Sequence, residues 1–169
     1  MAEVIPFPSL VFSADQGTQN LLLASALVQQ WHDVLGITVG IAQTEHNAYN
    51  QQLTKLAFQI APVTWTADWP DPQNFLTQLL HSGGHNNNGG WSNAQFDRLV
   101  DRADQLVGDT SQRLSMYRRA EALAMQDAAT IPIANPQAGI LIRSTVVGLQ
   151  VAGGAVVVPD WSRVRVGTL

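Results

Sequence analysis

The chain has 169 residues, a formal net charge of −4, charged side chains at only 13% of positions and no cysteine. That length suits one domain with a sizeable core, and the acidic balance argues against nucleic acid, whose phosphates need a basic face. Without cysteine, a disulfide framework, a thiol nucleophile and a cysteine metal site are all excluded.

From the N-terminus, Leu10-Val11-Phe12 predicts a strand entering from Pro6 and Pro8, with Asp15 or Thr18 able to cap the next element. Between Thr18 and Leu35 the apolar residues Leu22, Ala26, Trp31 and Leu35 recur at helical spacing, with Val28 beside them. Gly36 then stands where a left-handed residue ends a helix. Residues 37–41 alternate as a strand, and residues 48–56 predict a second helix with Tyr49, Leu53 and Leu56 on one side. Residues 57–66 read as a buried strand. Strand, helix, strand, helix, strand is the rhythm of an α/β lobe with largely parallel pairing.

That last strand delivers Trp65-Thr66-Ala67-Asp68-Trp69-Pro70-Asp71-Pro72-Gln73-Asn74-Phe75-Leu76, and a short helix is expected over residues 72–80. Pro70 and Pro72 remove backbone donors and bias Trp69 and Asp71 away from helical angles, which makes the junction stiff and extended. Asp68, between Trp65 and Trp69, is placed to receive a cation by charge and by cation–π attraction. The plainer reading is that Asp68 closes a turn and that Asp71 caps the helix, a role asparagine would fill nearly as well.

Residues 81–90 form a polar, glycine-rich loop that cannot pack a core. Ser92-Asn93-Ala94-Gln95 has capping-box spacing. Phe96, Leu99, Val100, Ala103 and Leu106 then line one helical face, Asp109 can cap again, and residues 112–126 predict another amphipathic helix. Its core face is Leu114, Tyr117, Leu123 and Ala124 with Ala120 beside them; Arg113, Arg118 and Arg119 are expected on a solvated side rather than as a basic patch. Strands return over residues 130–134, 139–143, 146–151, 155–158 and 164–166. From Val146 onward the chain has few helix signals and reads as an arm lying against something else.

Enzymatic readings find little support. Asp68 and Asp71 could supply two carboxylates for glycoside hydrolysis, but a proline-stiffened loop does not set their separation. His81 and His85 have a metal-binding spacing only on a helix, and Gly83 and Gly84 argue against one there. Ser82 lacks a nucleophile elbow, and no phosphate loop or dinucleotide fingerprint is present. No secretory leader, membrane-spanning run or lipidation signal is visible. The chain is expected not to be an enzyme and to carry no cofactor or metal.

Four blocks occur in a familiar order: residues 65–76, Gly90-Trp91-Ser92-Asn93-Ala94-Gln95-Phe96-Asp97-Arg98-Leu99, Tyr117-Arg118-Arg119-Ala120-Glu121, and Asp127-Ala128-Ala129-Thr130-Ile131-Pro132-Ile133. With the corner Leu35-Gly36-Ile37-Thr38-Val39, the chain resembles the oligopeptide/dipeptide-binding class of ABC-importer solute-binding proteins, solute-binding protein family 5. The resemblance covers nearly the whole chain but only part of the family's two-lobed protein.

The resemblance implies an α/β, periplasmic-binding-protein-like (type II) lobe with a mixed sheet flanked by helices. Residues 1–145 would be the second lobe, and residues 146–169 an arm returning to a first lobe which, like the signal peptide, is not in this sequence. It further implies extracytoplasmic capture of a peptide for an ABC importer, periplasmic or extracellular, with the transporter permease as partner. The W-x-A-D match carries over the role of ammonium partner to Asp68, with Trp65, Thr66 and Ala67 as the strand beside the ligand and Trp69 next to it. Residues 59–63 supply no arginine or lysine for the ligand's carboxylate. Nickel complexes, sugars and opines are the other ligands the family implies. A homodimer through the cleft face or the arm is expected. The competing class is a non-catalytic scaffold module that pairs with another chain through the same surfaces.

Overall fold

Parallel strands need a crossover long enough to return the chain to the same edge, and the first described elements are built that way. In the computed structural model, which describes residues 7–135, 141–152, 155–157 and 161–167, the chain divides into two compact units, Met1–Ile131 and Pro132–Leu169. In the first unit β1 (Leu10–Asp15) pairs in parallel with β2 (Val39–Thr44), from Leu10 opposite Val39 to Asp15 opposite Thr44. The crossover is α1 (Thr18–Leu35), closed by Gly36 at φ 68°, whose N–H donates to the His32 carbonyl.

Helix α1 lays Ala24, Leu27, Val28 and Trp31 on Phe12, Ala14 and Val39, with the Phe12 and Trp31 rings 6.1 Å apart. The expected stripe through Leu22 and Leu35 is rotated outward: those leucines are 65% and 63% exposed. Residues 24, 27, 28 and 31 have helical spacing too, and Ala24, fully buried, lets the helix come close to the strands. Asp15 does not cap α1 through the first-turn amides; it accepts from the N–H of Gly17, the cap residue itself.

Glu45 caps α2 (His46–Thr54) by accepting from Asn47 and Ala48 N–H, and α2 buries Tyr49 and Leu53. Leu56 falls beyond the helix end, 51% exposed at a positive φ of 53°. The buried strand expected over 57–66 is not there. Its only ladder contact among the described residues is a parallel bridge between Ile60 and Phe12, with Ser13 N–H donating to Ile60 O at 2.8 Å. Pro62 has no donor to continue a ladder. The Gln59 side chain takes the neighbouring backbone groups instead, accepting from Val11 N–H and donating to Ser9 O. The segment nevertheless runs parallel to β1, so its C-terminal end points the same way as those of the strands.

Three helices complete the first unit: α3 (Gln73–Leu80), α4 (Ala94–Gln105) and α5 (Thr110–Gln126). Their core is Leu76, Phe96, Leu99, Val100, Ala103, Tyr117, Ala120 and Ala124, and Trp91 meets Phe96 edge-on at 4.9 Å. Helix α4 is capped by Asn93, which accepts from Gln95 and Phe96 N–H, and not by a box begun at Ser92. Asparagine is as good a cap as serine, and Asn93 is also held by its donation to Asp127. Asp109 caps α5 by accepting from Gln112 N–H. Between α3 and α4 the loop turns at Gly84, where a Cβ would stand 2.9 Å from His81 O and 3.0 Å from Thr77 O.

The second unit has two short antiparallel ladders. β3 (Val146–Val147) pairs with β6 (Arg165–Val166), and β4 (Gln150–Ala152) pairs with β5 (Ala155–Val157). Gly148, at φ 87°, passes so close to Arg163 O that no other residue fits. The strands expected over 130–134 and 141–143 are irregular, and Pro132 again removes a ladder donor; Gly139, Ile140 and Val158 lie outside the described residues. The α/β class holds. The expected mixed sheet is, among the described residues, one parallel and two antiparallel ladders of two strands each.

Candidate ligand-binding site

Asn74, on the first turn of α3, is fully buried. Its Oδ1 accepts from the Trp65 indole N–H at 2.8 Å and from the Asp68 backbone N–H at 3.2 Å, while its Nδ2 donates to Asp68 Oδ2 at 3.4 Å. A buried amide that lost these partners would leave unpaired donors and acceptors at a cost of about 1–3 kcal/mol. One side chain therefore sets both the indole and the carboxylate. Asp68 itself is exposed, and its Oδ1 has no protein partner among the described residues. Thr66 is exposed and Ala67 half-buried. Trp69 is 41% exposed and joins the loop only through its carbonyl, which accepts from Asp71 N–H.

Asp71 has two tasks. Its Oδ1 accepts from Gln73 N–H at 2.9 Å, as a cap would, although Pro72 occupies the cap position. Both its oxygens also receive the Arg113 guanidinium, at 2.6 and 2.8 Å. The expectation that Arg113 belongs to a solvated face is thus corrected. From α5 it reaches back to the loop, donates to Ala103 O, and hydrogen-bonds the Tyr117 hydroxyl at 2.8 Å. Tyr117 donates to Asp104, whose other oxygen accepts from Thr77 at 3.0 Å. Arg113 beside it holds the Asp71 carboxyl below the usual carboxylate range, Asp71 in turn raises Arg113, and burial followed by Asp104 raises the Tyr117 hydroxyl. The chain of contacts ties the loop to α3, α4 and α5.

A second polar group sits where β1 and β2 end. His46 Nδ1 lies 2.8 Å from Asp15 Oδ2, and His46 Nε2 lies 3.0 Å from Asn50 Nδ2. Tyr49 donates to Pro62 O at 2.6 Å, and burial with the nearby Asp15 charge pushes its hydroxyl up to about 12. In the polar loop, Ser82 gives its hydroxyl and its N–H to Asp97, and His81 Nδ1 accepts from Gly83 N–H. The Ser82 hydroxyl is thus engaged by a carboxylate and not by a histidine. Among the described residues no three metal-ligating side chains converge.

The residues singled out by sequence meet in one place only in part. Trp65 and Asp68 share Asn74; Thr66, Ala67 and Trp69 flank them. Sequence reasoning missed Asn74 and Arg113. The signal for Asn74 was its place one helical step inside a loop with two proline-fixed corners, and that for Arg113 its i, i+4 spacing to Tyr117.

Residues 4–87 match the model of the bacterial extracellular solute-binding proteins, family 5 Middle. The oligopeptide-binding protein OppA of Bacillus subtilis (strain 168) is 27% identical over 133 residues, covering 79% of this chain and 24% of that protein. The probable deoxycholate-binding periplasmic protein YgiS of Escherichia coli (strain K12) is 34% identical over 110 residues, 65% of this chain and 20% of that one. The solved structure of Burkholderia pseudomallei OppA superposes with a TM-score of 0.70 at 25% identity, over 83% of this chain and 27% of that one. The chain spans about a quarter or less of the length of these curated relatives.

Proposed function

We propose that this chain, whose residues 4–87 match the bacterial extracellular solute-binding proteins of family 5, serves as one lobe of a receptor that captures oligopeptides or dipeptides outside the cytoplasm for an ABC importer. Residues 1–145 form that lobe, and residues 146–169 the arm that reaches the other lobe. The role is binding without catalysis, and the permease of the importer is its protein partner. The observation that carries the reading is the exposed Asp68 carboxylate, oriented by buried Asn74 and leaving Oδ1 free for a donor. A peptide's α-ammonium is such a donor, and a charge-assisted bond to it is short and strong. Trp65, Thr66 and Ala67, which belong to no ladder among the described residues, are the backbone beside which a peptide of any sequence would lie, and Trp69 supplies an exposed aromatic face.

The test monitors the indole N–H resonances of Trp65 and Trp69 by NMR while trialanine, N-acetyl-trialanine or deoxycholate is added. Trialanine is expected to shift them at millimolar concentration, because the single lobe desolvates only one side of the ligand. The acetylated peptide should shift them far less, and Asp68→Asn should weaken trialanine binding by up to about fivefold, the worth of one exposed ion pair. Equal shifts from both peptides, or shifts from deoxycholate alone, overturn the peptide reading.

A further inference from the structure

Helix α4 sorts its charges by sign. On one flank of its buried stripe, Asp97 holds Ser82, Asp101 lies 3.3 Å from His81 Nε2, and Asp104 holds Thr77 and Tyr117. On the other flank, Arg98 and Arg102 line a groove with Gln95 and Leu99, and Arg119 comes in from α5. The groove encloses about 190 Å³. Three of the chain's nine lysines and arginines meet there, although the whole molecule carries a charge of −4. Among the described residues none of the three makes an ion pair or a hydrogen bond through its side chain. Arg102 alone would be explained as a cation in the last turn of α4. The helix dipole gives no such reason for Arg98 near the helix start or for Arg119 in the middle of α5.

Like charges gathered without counterions repel, and the acids of α4 are turned to the other flank, so the groove has the electrostatics of a surface awaiting anions. All three cations are arginines, whose planar forks receive carboxylates in bidentate fashion. We propose that this groove docks an acidic segment of a protein partner, with glutamate or aspartate side chains against Arg98, Arg102 and Arg119 and an apolar residue over Leu99. An anionic membrane is disfavoured, since polybasic lipid-binding surfaces gather about four to eight cations and the acidic whole would be repelled.

Fluorescence anisotropy of labelled hexaglutamate at low ionic strength tests the docking, which is independent of peptide capture at Asp68. The wild-type chain is expected to bind it saturably and to release it with added salt. The triple variant Arg98→Gln/Arg102→Gln/Arg119→Gln, with its helix content checked by circular dichroism, should bind about tenfold more weakly. Arg118→Gln, in a separate groove lined by Pro72, Phe75 and Glu121, should bind as wild type does. The proposal is overturned by absence of wild-type binding, by undiminished binding of the triple variant, by an equal loss in Arg118→Gln, or by phosphatidylserine vesicles binding where hexaglutamate does not.

Discussion

Asn74 is the residue on which the candidate site turns, because its single amide holds the Trp65 indole and both ends of Asp68. Asn74→Ala removes all three bonds and leaves the indole N–H and a backbone N–H without partners. It is expected to cost about 2–4 kcal/mol in urea unfolding and to broaden the Trp65 indole resonance. Asn74→Asp keeps the acceptor and loses the Nδ2 donor while placing a second carboxylate beside Asp68. It should hold the indole and the Asp68 backbone N–H in place yet release the Asp68 carboxylate. Should Asn74→Ala leave both stability and the indole signal unchanged, the positioning role is wrong.

At the scale of elements, the Asp71–Arg113 pair joins the loop to α5, and the side chains are only 27% and 21% exposed. The Asp71 carboxyl is held below its ordinary value by Arg113. A depressed folded value means that the stabilisation is fully present above the unfolded value near 3.8 and is lost as pH falls through the lower folded value. Acid unfolding should therefore steepen below about pH 4, and Arg113→Met should flatten that limb. At neutral pH Asp71→Asn should cost about 1–2 kcal/mol, because an amide keeps the cap-like bond to Gln73 but loses the charge-assisted pair. As a simple cap, asparagine would have been nearly neutral. Equal stability of Asp71→Asn and wild type across this pH range would show that the pair adds nothing to stability.

For the whole molecule, both hydrophobic clusters among the described residues, around Phe12 and around Phe96, lie within Met1–Ile131. A chain ending at Ile131 is expected to unfold cooperatively, as judged by thermal circular dichroism. In the second unit Leu141, Val147 and Val166 are 100%, 54% and 78% exposed, and its strands are two or three residues long. Such apolar surface and unpaired edges favour association. We expect light scattering to find the full chain dimeric and the 1–131 chain monomeric. Two monomers would remove the arm as a dimer contact, and a dimeric 1–131 chain would move that contact to the first unit.

By itself the sequence determined whatever a local pattern carries. Helical periodicity was enough to place α1, α4 and α5, Gly36 and Asp109 were legible as a helix stop and a helix cap, and proline spacing marked 65–72 as a stiff loop carrying Trp65 and Asp68. The tertiary structure decided everything that depends on partners far along the chain. Periodicity in α1 allowed two stripes, and only contact with Phe12 and Val39 chose the one through Ala24. Residues 57–66 look like a strand because they are apolar, but whether they pair is decided by Pro62 and by Gln59 occupying the adjacent backbone groups. Arg113 reads as a surface charge until folding sets it against Asp71, 42 residues away. Asn74 reads as an ordinary helix residue until burial obliges its amide to find partners. Local propensity is written residue by residue, whereas the pairing of polar groups is settled only when burial removes water as the alternative partner.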